Sequence, residues 1–418
     1  MKIFRKTPLL LCLFFIGFAS CKKASVAPPG ENNTNKGKNL VLTPLDDEKV
    51  TADNAFSLKL FKNLDSANTA GTNLFMSPLS VSFALGMTSN GANGTTLDAF
   101  KNTLNFAGLT QAQVNDYYNN LITNLPQLDP NTTLDIANSI WYKQGFNPEA
   151  QFLQTDSSNF HAQIQALDFS NPTAVNTINN WVSQNTKGYI PTILNSIPGN
   201  AVMYLVNAMY FKSSWEESFD ATKTKPLPFY LDDNSTIQAS FMTGNIDFNY
   251  YTDLKANVYE LPYSNSKYSM VIVTPANGNS LSQLAAGLDS AQWKTWTANL
   301  RQGKGTVTMP KFTFSYGANL NSALSDLGLG IAFSDNADFS LISPAKLKIS
   351  QVIHKAFVDV DESGTTAAAA TSVGVVTSIA GPAFNPTINH PFIFAIREMS
   401  SGLILFVGVV NNPTLKGQ

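Results

Sequence analysis

The side chains that most often carry enzyme chemistry are scarce in this 418-residue chain: three histidines (His161, His354, His390) and two cysteines (Cys12, Cys21). That is too few for most metal clusters. No Gly-x-Ser-x-Gly elbow, zinc-binding helix motif or phosphate loop is present. The residues that stand out have no reactive group at all. From Glu362 to Phe384 the chain carries no charge after the first residue, and nearly every side chain is small. A structureless loop of that length in a compact domain is uncommon and usually functional. Its alanines favour helix, while its Thr, Val and Gly do not. Thr365 to Val376 can thus be loop, helix or strand at small cost. As a strand, Thr365, Ala367, Ala369, Thr371, Val373 and Val375 share one face. All are small or β-branched, so that face could slide into a packed sheet. Extended from Gly364 to Ser378, it would span about 46 Å at roughly 3.3 Å per residue. On composition alone, a low-complexity surface loop or a helix cap accounts for the segment as well.

The elements that must hold such a loop are legible along the chain. Apolar residues make up 44% and charged residues 13%, with 28 Phe and 13 Tyr, which implies a large globular core. Net charge is −2, so no basic face for nucleic acid is implied. Asp53 to Leu64 reads as an amphipathic helix. Ser77-Pro78 reads as an N-cap followed by proline at the first helical position, with the helix running to Gly91. Further helices are expected over Thr96–Leu104, Gln111–Leu125, Ala174–Thr186 and Leu320–Leu327. Strands are expected over Thr133–Tyr142, Ala201–Phe211, Tyr259–Pro262, Met270–Thr274, Thr306–Phe314, Leu347–Val360, Phe392–Arg397 and Leu403–Val410. No internal repeat and no βαβ spacing is visible. The expected class is α+β in one large domain, helices first and strands later.

The N-terminus reads as an address. Lys2, Arg5 and Lys6 precede an apolar run, Leu9 to Ala19, too short to span a bilayer comfortably. Phe18-Ala19-Ser20-Cys21 resembles the lipobox of bacterial lipoproteins, departing from it at Phe18, where that motif prefers Leu. The resemblance implies a signal peptide over residues 1–20, lipid attachment at Cys21 and a location in the cell envelope. The alternative is an ordinary leader with an incidental cysteine. Residues 21–47, rich in Pro, Asn and Gly, read as anchor and flexible tether. The remaining domain covers 48–418.

Within that domain a series of motifs resembles the serpin family, in family order. They are Asn73-x-x-x-Ser77-Pro78-x-Ser80 with Gly91-Ala92-x-Gly94-x-Thr96, then Ile178-Asn179-x-Trp181-Val182, then Asn207-Ala208-x-Tyr210-Phe211-Lys212-x-x-Trp215. Leu261-Pro262-Tyr263, Met309-Pro310-Lys311-Phe312, Ala337-Asp338-Phe339-Ser340, His354-Lys355-Ala356 and Asn389-His390-Pro391-Phe392 follow. Two departures are Ser213, where the family usually has Gly, and Pro386, where it prefers an apolar residue able to pair in a strand. The resemblance implies three β-sheets wrapped by about nine helices, with a reactive loop displayed over about residues 362–384. The activity it implies is irreversible inhibition of a serine protease. The protease attacks the loop, and the cut loop then inserts as a strand in the main sheet.

Roles carried over by resemblance are the following. Ser77, Ser80, Asn207 and His354 match a polar cluster under the central sheet, the shutter. Trp215 and Lys311 match the breach, where insertion begins, and Lys311 pairs with Glu362. Glu362, Gly364, Thr365, Thr366, Ala367, Ala368, Ala369 and Ala370 match the hinge. Counting sixteen residues on from Glu362 puts the reactive bond at Ser378–Ile379; counting back from Pro391 gives Ala380. No Lys or Arg lies between Glu362 and Arg397, so the primary pocket of the target is not trypsin-like. Elastase-like or subtilisin-like serine proteases are expected, with papain-like cysteine proteases as a second class. No cofactor, metal or nucleic acid is expected, and the chain is expected to be a monomer. A non-inhibitory binding protein is the alternative.

Overall fold

The computed structural model describes Met1 and residues 37–276, 278–365 and 384–416. Apart from Met1, these lie in one compact unit, Asn35–Gln418. Cys21, residues 366–383 and the reactive positions Ser378, Ile379 and Ala380 lie outside the described residues.

Nine α-helices are present among the described residues: α1 (Pro44–Ala67), α2 (Pro78–Ser89), α3 (Gly94–Thr103), α4 (Gln111–Asn124), α5 (Ala150–Phe160), α6 (Thr173–Asn185), α7 (Leu281–Gly287), α8 (Ser290–Ala298) and α9 (Asn321–Leu324). The helix expected at Asp53 begins earlier, at Pro44, inside the segment expected as tether. Thr43 caps it, its hydroxyl and backbone N–H exchanging hydrogen bonds with Asp46. The tether expectation overlooked this cap because its Thr-Pro-Leu-Asp-Asp stretch also reads as loop. For α2 the sequence reading holds: the Ser77 hydroxyl accepts from the Ser80 N–H at 3.1 Å, with Pro78 at the first helical position.

The strands are β1 (Leu74–Met76), β2 (Thr133–Lys143), β3 (Gln163–Leu167), β4 (Met203–Ser214), β5 (Lys225–Tyr230), β6 (Thr236–Thr252) and β7 (Ala256–Pro262). They continue with β8 (Tyr268–Pro275), β9 (Arg301–Pro310), β10 (Phe312–Asn319), β11 (Ile353–Asp361), β12 (Gly364–Thr365), β13 (Phe392–Glu398) and β14 (Ile404–Val410). One network runs β1-β14-β13-β8-β7-β6-β5, with β9 on β6 as well. It amounts to two sheets sharing the long β6. The other is a six-stranded sheet in the order β10-β11-β12-β4-β2-β3. Helices and three sheets together make the expected α+β architecture.

Two expected strands need correction. Thr306–Phe314 is not one strand: Lys311 separates β9, which pairs with β6, from β10, which pairs with β11. Pro310 supplies no N–H with which to continue a ladder. The strand expected from Leu347 begins only at Ile353, since Leu347–Val352 finds no partner strand among the described residues.

The core is one large cluster between the sheets and α2, whose residues are buried on almost every side. A smaller cluster lies on the other face of the six-stranded sheet. There Ile178, Trp181 and Val182 of α6 pack on Trp141, Val206 and Ala208. Alternation sorts these faces: in β4, Asn207, Met209 and Phe211 face the main core, while Ala208 and Tyr210 face the α6 side. Inside the other network, Glu260 of β7 is fully buried against Arg397 of β13, Nη2 to Oε1 at 2.6 Å. Ser269 of β8 and Asn249 of β6 also donate to this carboxylate, at 2.7 and 2.8 Å. Four strands thus meet on one satisfied charge. Replacing Arg397 by Met would leave that carboxylate buried and unpaired. A loss of about 3–5 kcal/mol of stability is expected from denaturant unfolding.

Candidate functional site

The segment before residue 366 turns back into the six-stranded sheet. Asp361 ends β11, and its side chain accepts from the N–H of Ser363 at 2.8 Å, which forms a tight turn. Gly364 and Thr365 then pair antiparallel with Asp361 and Val360 on one side and with Ser214 and Ser213 on the other. At Gly364 φ is +151°, and a Cβ would lie 2.1 Å from the Ser213 carbonyl oxygen, so only glycine fits. Thr365 is buried, and its hydroxyl meets the Tyr263 hydroxyl. Ser213, the departure from the family pattern, turns its hydroxyl to Thr132 at 2.6 Å, so its polarity is satisfied.

β4 and β11 run parallel to each other. Below Thr365 no backbone ladder joins them among the described residues. A cavity of about 390 Å³ lies between and beneath them, lined among others by Ser77, Ser80, Asn207, Met209, His354 and Thr365.

The expected polar cluster is assembled at this cavity. The Ser77 N–H donates to Nε2 of His354 at 3.1 Å, and the Ser77 hydroxyl donates to the Leu405 carbonyl at 2.8 Å. The Ser80 hydroxyl donates to Oδ1 of Asn207. Asn207 passes the chain on to Asn138 of β2 at 2.8 Å, and Asn138 donates to the Phe160 carbonyl at the end of α5. His354 accepts at Nε2 and is therefore neutral; burial pushes its pKa down to about 4. Asn138 was not anticipated from sequence. Asp135 and Ser139 in the same strand are polar as well, so nothing local singled Asn138 out.

At the top of the sheet Trp215 stacks on Tyr263, with ring centroids 4.6 Å apart and planes 8° from parallel. Its indole N–H donates to the Asp361 carbonyl at 2.9 Å, and its backbone N–H donates to the Ser363 carbonyl at 2.9 Å. Lys311 reaches Glu362 at 2.6 Å, as expected. Thr224, which sequence reasoning missed, donates to the same carboxylate at 2.5 Å. Burial works against the charge of Glu362, but the hydrogen bonds from Lys311 and Thr224 outweigh it and hold the carboxyl below its ordinary range. The turn that starts the loop is therefore gripped from both sides by Trp215, Lys311 and Thr224.

Beyond the segment, Phe384 to Ile388 lies along β9. The Thr306 N–H donates to the Asn385 side chain, the Thr308 N–H to the Pro386 carbonyl and the Ile388 N–H to the Thr308 carbonyl. Pro386 acts here only as an acceptor, so its missing N–H costs nothing. His161 is exposed at the left-handed end of α5, and exposed His390 stacks on Tyr230. Neither takes part in the site. Among the described residues no group of His, Cys, Asp and Glu is placed to hold a metal ion, and no helix is long and apolar enough to cross a membrane.

With this geometry in hand, the sequence matches the family Serpin (serine protease inhibitor) over residues 51–413. It is 34% identical to the leukocyte elastase inhibitor of Sus scrofa over 88% of this chain and 100% of that protein. Among solved structures it is similar to the thermophilic serpin tengpin in the native state. That match has a TM-score of 0.81 and 32% identity, covering 90% of this chain and 97% of that one. Human thyroxine-binding globulin complexed with thyroxine matches with a TM-score of 0.79 at 29% identity, over 88% and 100% of the two chains.

The depressed His354 pKa sets a pH dependence. The folded state binds the proton less readily than the unfolded chain, whose imidazole titrates near 6.5. The stability from this site is complete above that pH and is lost as pH falls towards about 4. The loss amounts to about 3 kcal/mol. In His354→Gln, the unfolding free energy measured from pH 7 to pH 4 should lack this component.

Proposed function

Because the chain belongs to the serpin family and is a serine protease inhibitor rather than an enzyme, we propose that it acts as an irreversible trap. A protease attacks the loop at Ser378–Ile379, with Ala380 as the alternative position. The freed hinge, Glu362 and Gly364 to Ala370, then enters the slot between β4 and β11 as a new central strand and carries the acylated protease with it.

The observation that supports this reading most is the pairing of Gly364 and Thr365. The strand is already begun, in register with both neighbours and beside the cavity that β4 and β11 line. Continuing it requires that side chains facing the core be small and uncharged, and Thr365, Ala367, Ala369 and Thr371 all are. In this reading Trp215, Lys311 and Glu362 fix where insertion starts. Ser77, Ser80, Asn207 and His354 form the polar floor over which the strand passes. The small residue that either counting puts in the primary pocket, Ser378 or Ala380, together with the elastase-inhibitor name of the relatives, favours an elastase-like or subtilisin-like target. The leader further suggests that the inhibitor works at the cell envelope, lipid-anchored through Cys21.

Incubation with an elastase-type serine protease should give an adduct that survives boiling in detergent. Cut loop beside fully active protease would sink the proposal. Thr365→Arg places a charge where Thr365 is now buried against Tyr263. It should raise the inhibitor consumed per protease by on the order of tenfold, turning the protein into a substrate. Cys21→Ala should move the protein from the membrane fraction to the soluble one; continued lipid labelling of that variant would rule out the anchor.

A further inference from the structure

On the outer face of the six-stranded sheet, three aromatic rings stand in series across the slot. Tyr189, just past α6, lies between Tyr210 of β4 and Phe357 of β11. Its ring centroid is 5.7 Å from the first and 4.7 Å from the second, with interplanar angles of 17° and 23°. The turn that sets it there is well anchored. Lys187 and Gly188 take positive φ, Gly188 donates its N–H to the Ser183 carbonyl at 2.7 Å, and Lys187 pairs with Asp135 of β2 at 2.7 Å. Tyr189, Tyr210 and Phe357 all line the cavity between the two strands.

The two ring separations together match roughly two strand spacings of about 4.8 Å each, the width that one intervening strand occupies. Register places this row. Thr365 stands opposite Ser213 on one side and Val360 on the other. Three residues further along each partner come Tyr210 and Phe357, so both registers meet on the same row. The residue a continued strand would bring there is Ala368, which lies outside the described residues. On that row side chains point outwards, toward Tyr189. The requirement for small core-facing residues does not constrain this position, yet the chain carries alanine.

We propose that Tyr189 is a positioning residue for loop insertion: its ring is a spacer that keeps β4 and β11 one strand apart and roofs the row that Ala368 must enter. Without the ring, the two strands are free to close and pair directly. With the ring in place, a large side chain at 368 collides with it. This inference rests on the insertion reading above but is separable from the trapping of a protease.

The test uses the full chain with its loop cut by an elastase-type protease. Insertion is followed as the gain of heat resistance with time, alongside the inhibitor consumed per protease. Tyr189→Ala should slow the gain by on the order of tenfold, while Tyr189→Phe, which keeps the ring, should insert at the unaltered rate. Ala368→Phe should also slow insertion, and its added penalty should be smaller in the Tyr189→Ala background, because the ring it collides with is then gone. Near-UV circular dichroism of the uncut variants identifies any that fail to fold; if Tyr189→Ala does, Tyr189→Leu, which removes the flat ring but keeps bulk, takes its place in both comparisons. Insertion of Tyr189→Ala at the unaltered rate would overturn the proposal, as would an equal Ala368→Phe penalty with and without Tyr189. If the unaltered chain gains heat resistance but never retains protease, the trapping reading fails while the Tyr189 rates still decide this one. Absence of any gain overturns both.

Discussion

Two strands of the main sheet, β4 and β11, run parallel and, among the described residues, are joined only by a two-residue wedge, Gly364 and Thr365. Parallel neighbours normally share a continuous ladder, and every unshared N–H and C=O along them must be satisfied some other way. A strand laid antiparallel between them satisfies both edges at once. The chain already places the first two residues of such a strand there, and the bare backbone at Gly364 is what admits them. Much of the remaining site follows from this opening. The grip of Trp215, Lys311 and Thr224 on the turn at Glu362 fixes where the strand begins. The buried Thr365 fixes which face it presents.

Beneath the opening the core is not sealed with apolar side chains alone. Ser77, Ser80, Asn138, Asn207 and a neutral His354 form a hydrogen-bonded floor that ties α2 and α5 to the sheet. A polar floor carries a cost that an apolar one does not: each partner must be kept or exchanged when a strand arrives, or a buried polar group is stranded. In return it specifies position. The burial that keeps His354 neutral makes this floor sensitive to acid. Arg397 and Glu260, with every carboxylate oxygen bonded, tie four strands of the neighbouring network together.

Much of this was legible in advance. Ser77-Pro78 announced its helix because capping is a local matter of one hydroxyl and one ring. Gly364 and the alanines after it announced a segment able to pass between conformations, because small side chains impose no preference. The match of many short motifs in order made the family, and with it the α+β architecture, readable before any coordinates. The illegible parts were those set by distant partners. Thr306–Phe314 alternates as one strand should, and only the diverging edges of β6 and β11 show that it serves two sheets. Asn138 and Thr224 lie far in sequence from the residues they support, and Tyr189 gave no signal until two strands came to flank it.

The sequence by itself determined the class of protein and the character of its loop, since composition, caps and motif order are local properties that survive without a fold. It also determined that Thr365 should be small and uncharged. Tertiary structure alone decided that Gly364 and Thr365 already sit in the sheet, that His354 is neutral, and that three rings span the slot. Each of these depends on which chains lie next to one another. That is settled by burial and backbone pairing across hundreds of residues, and no local pattern encodes it.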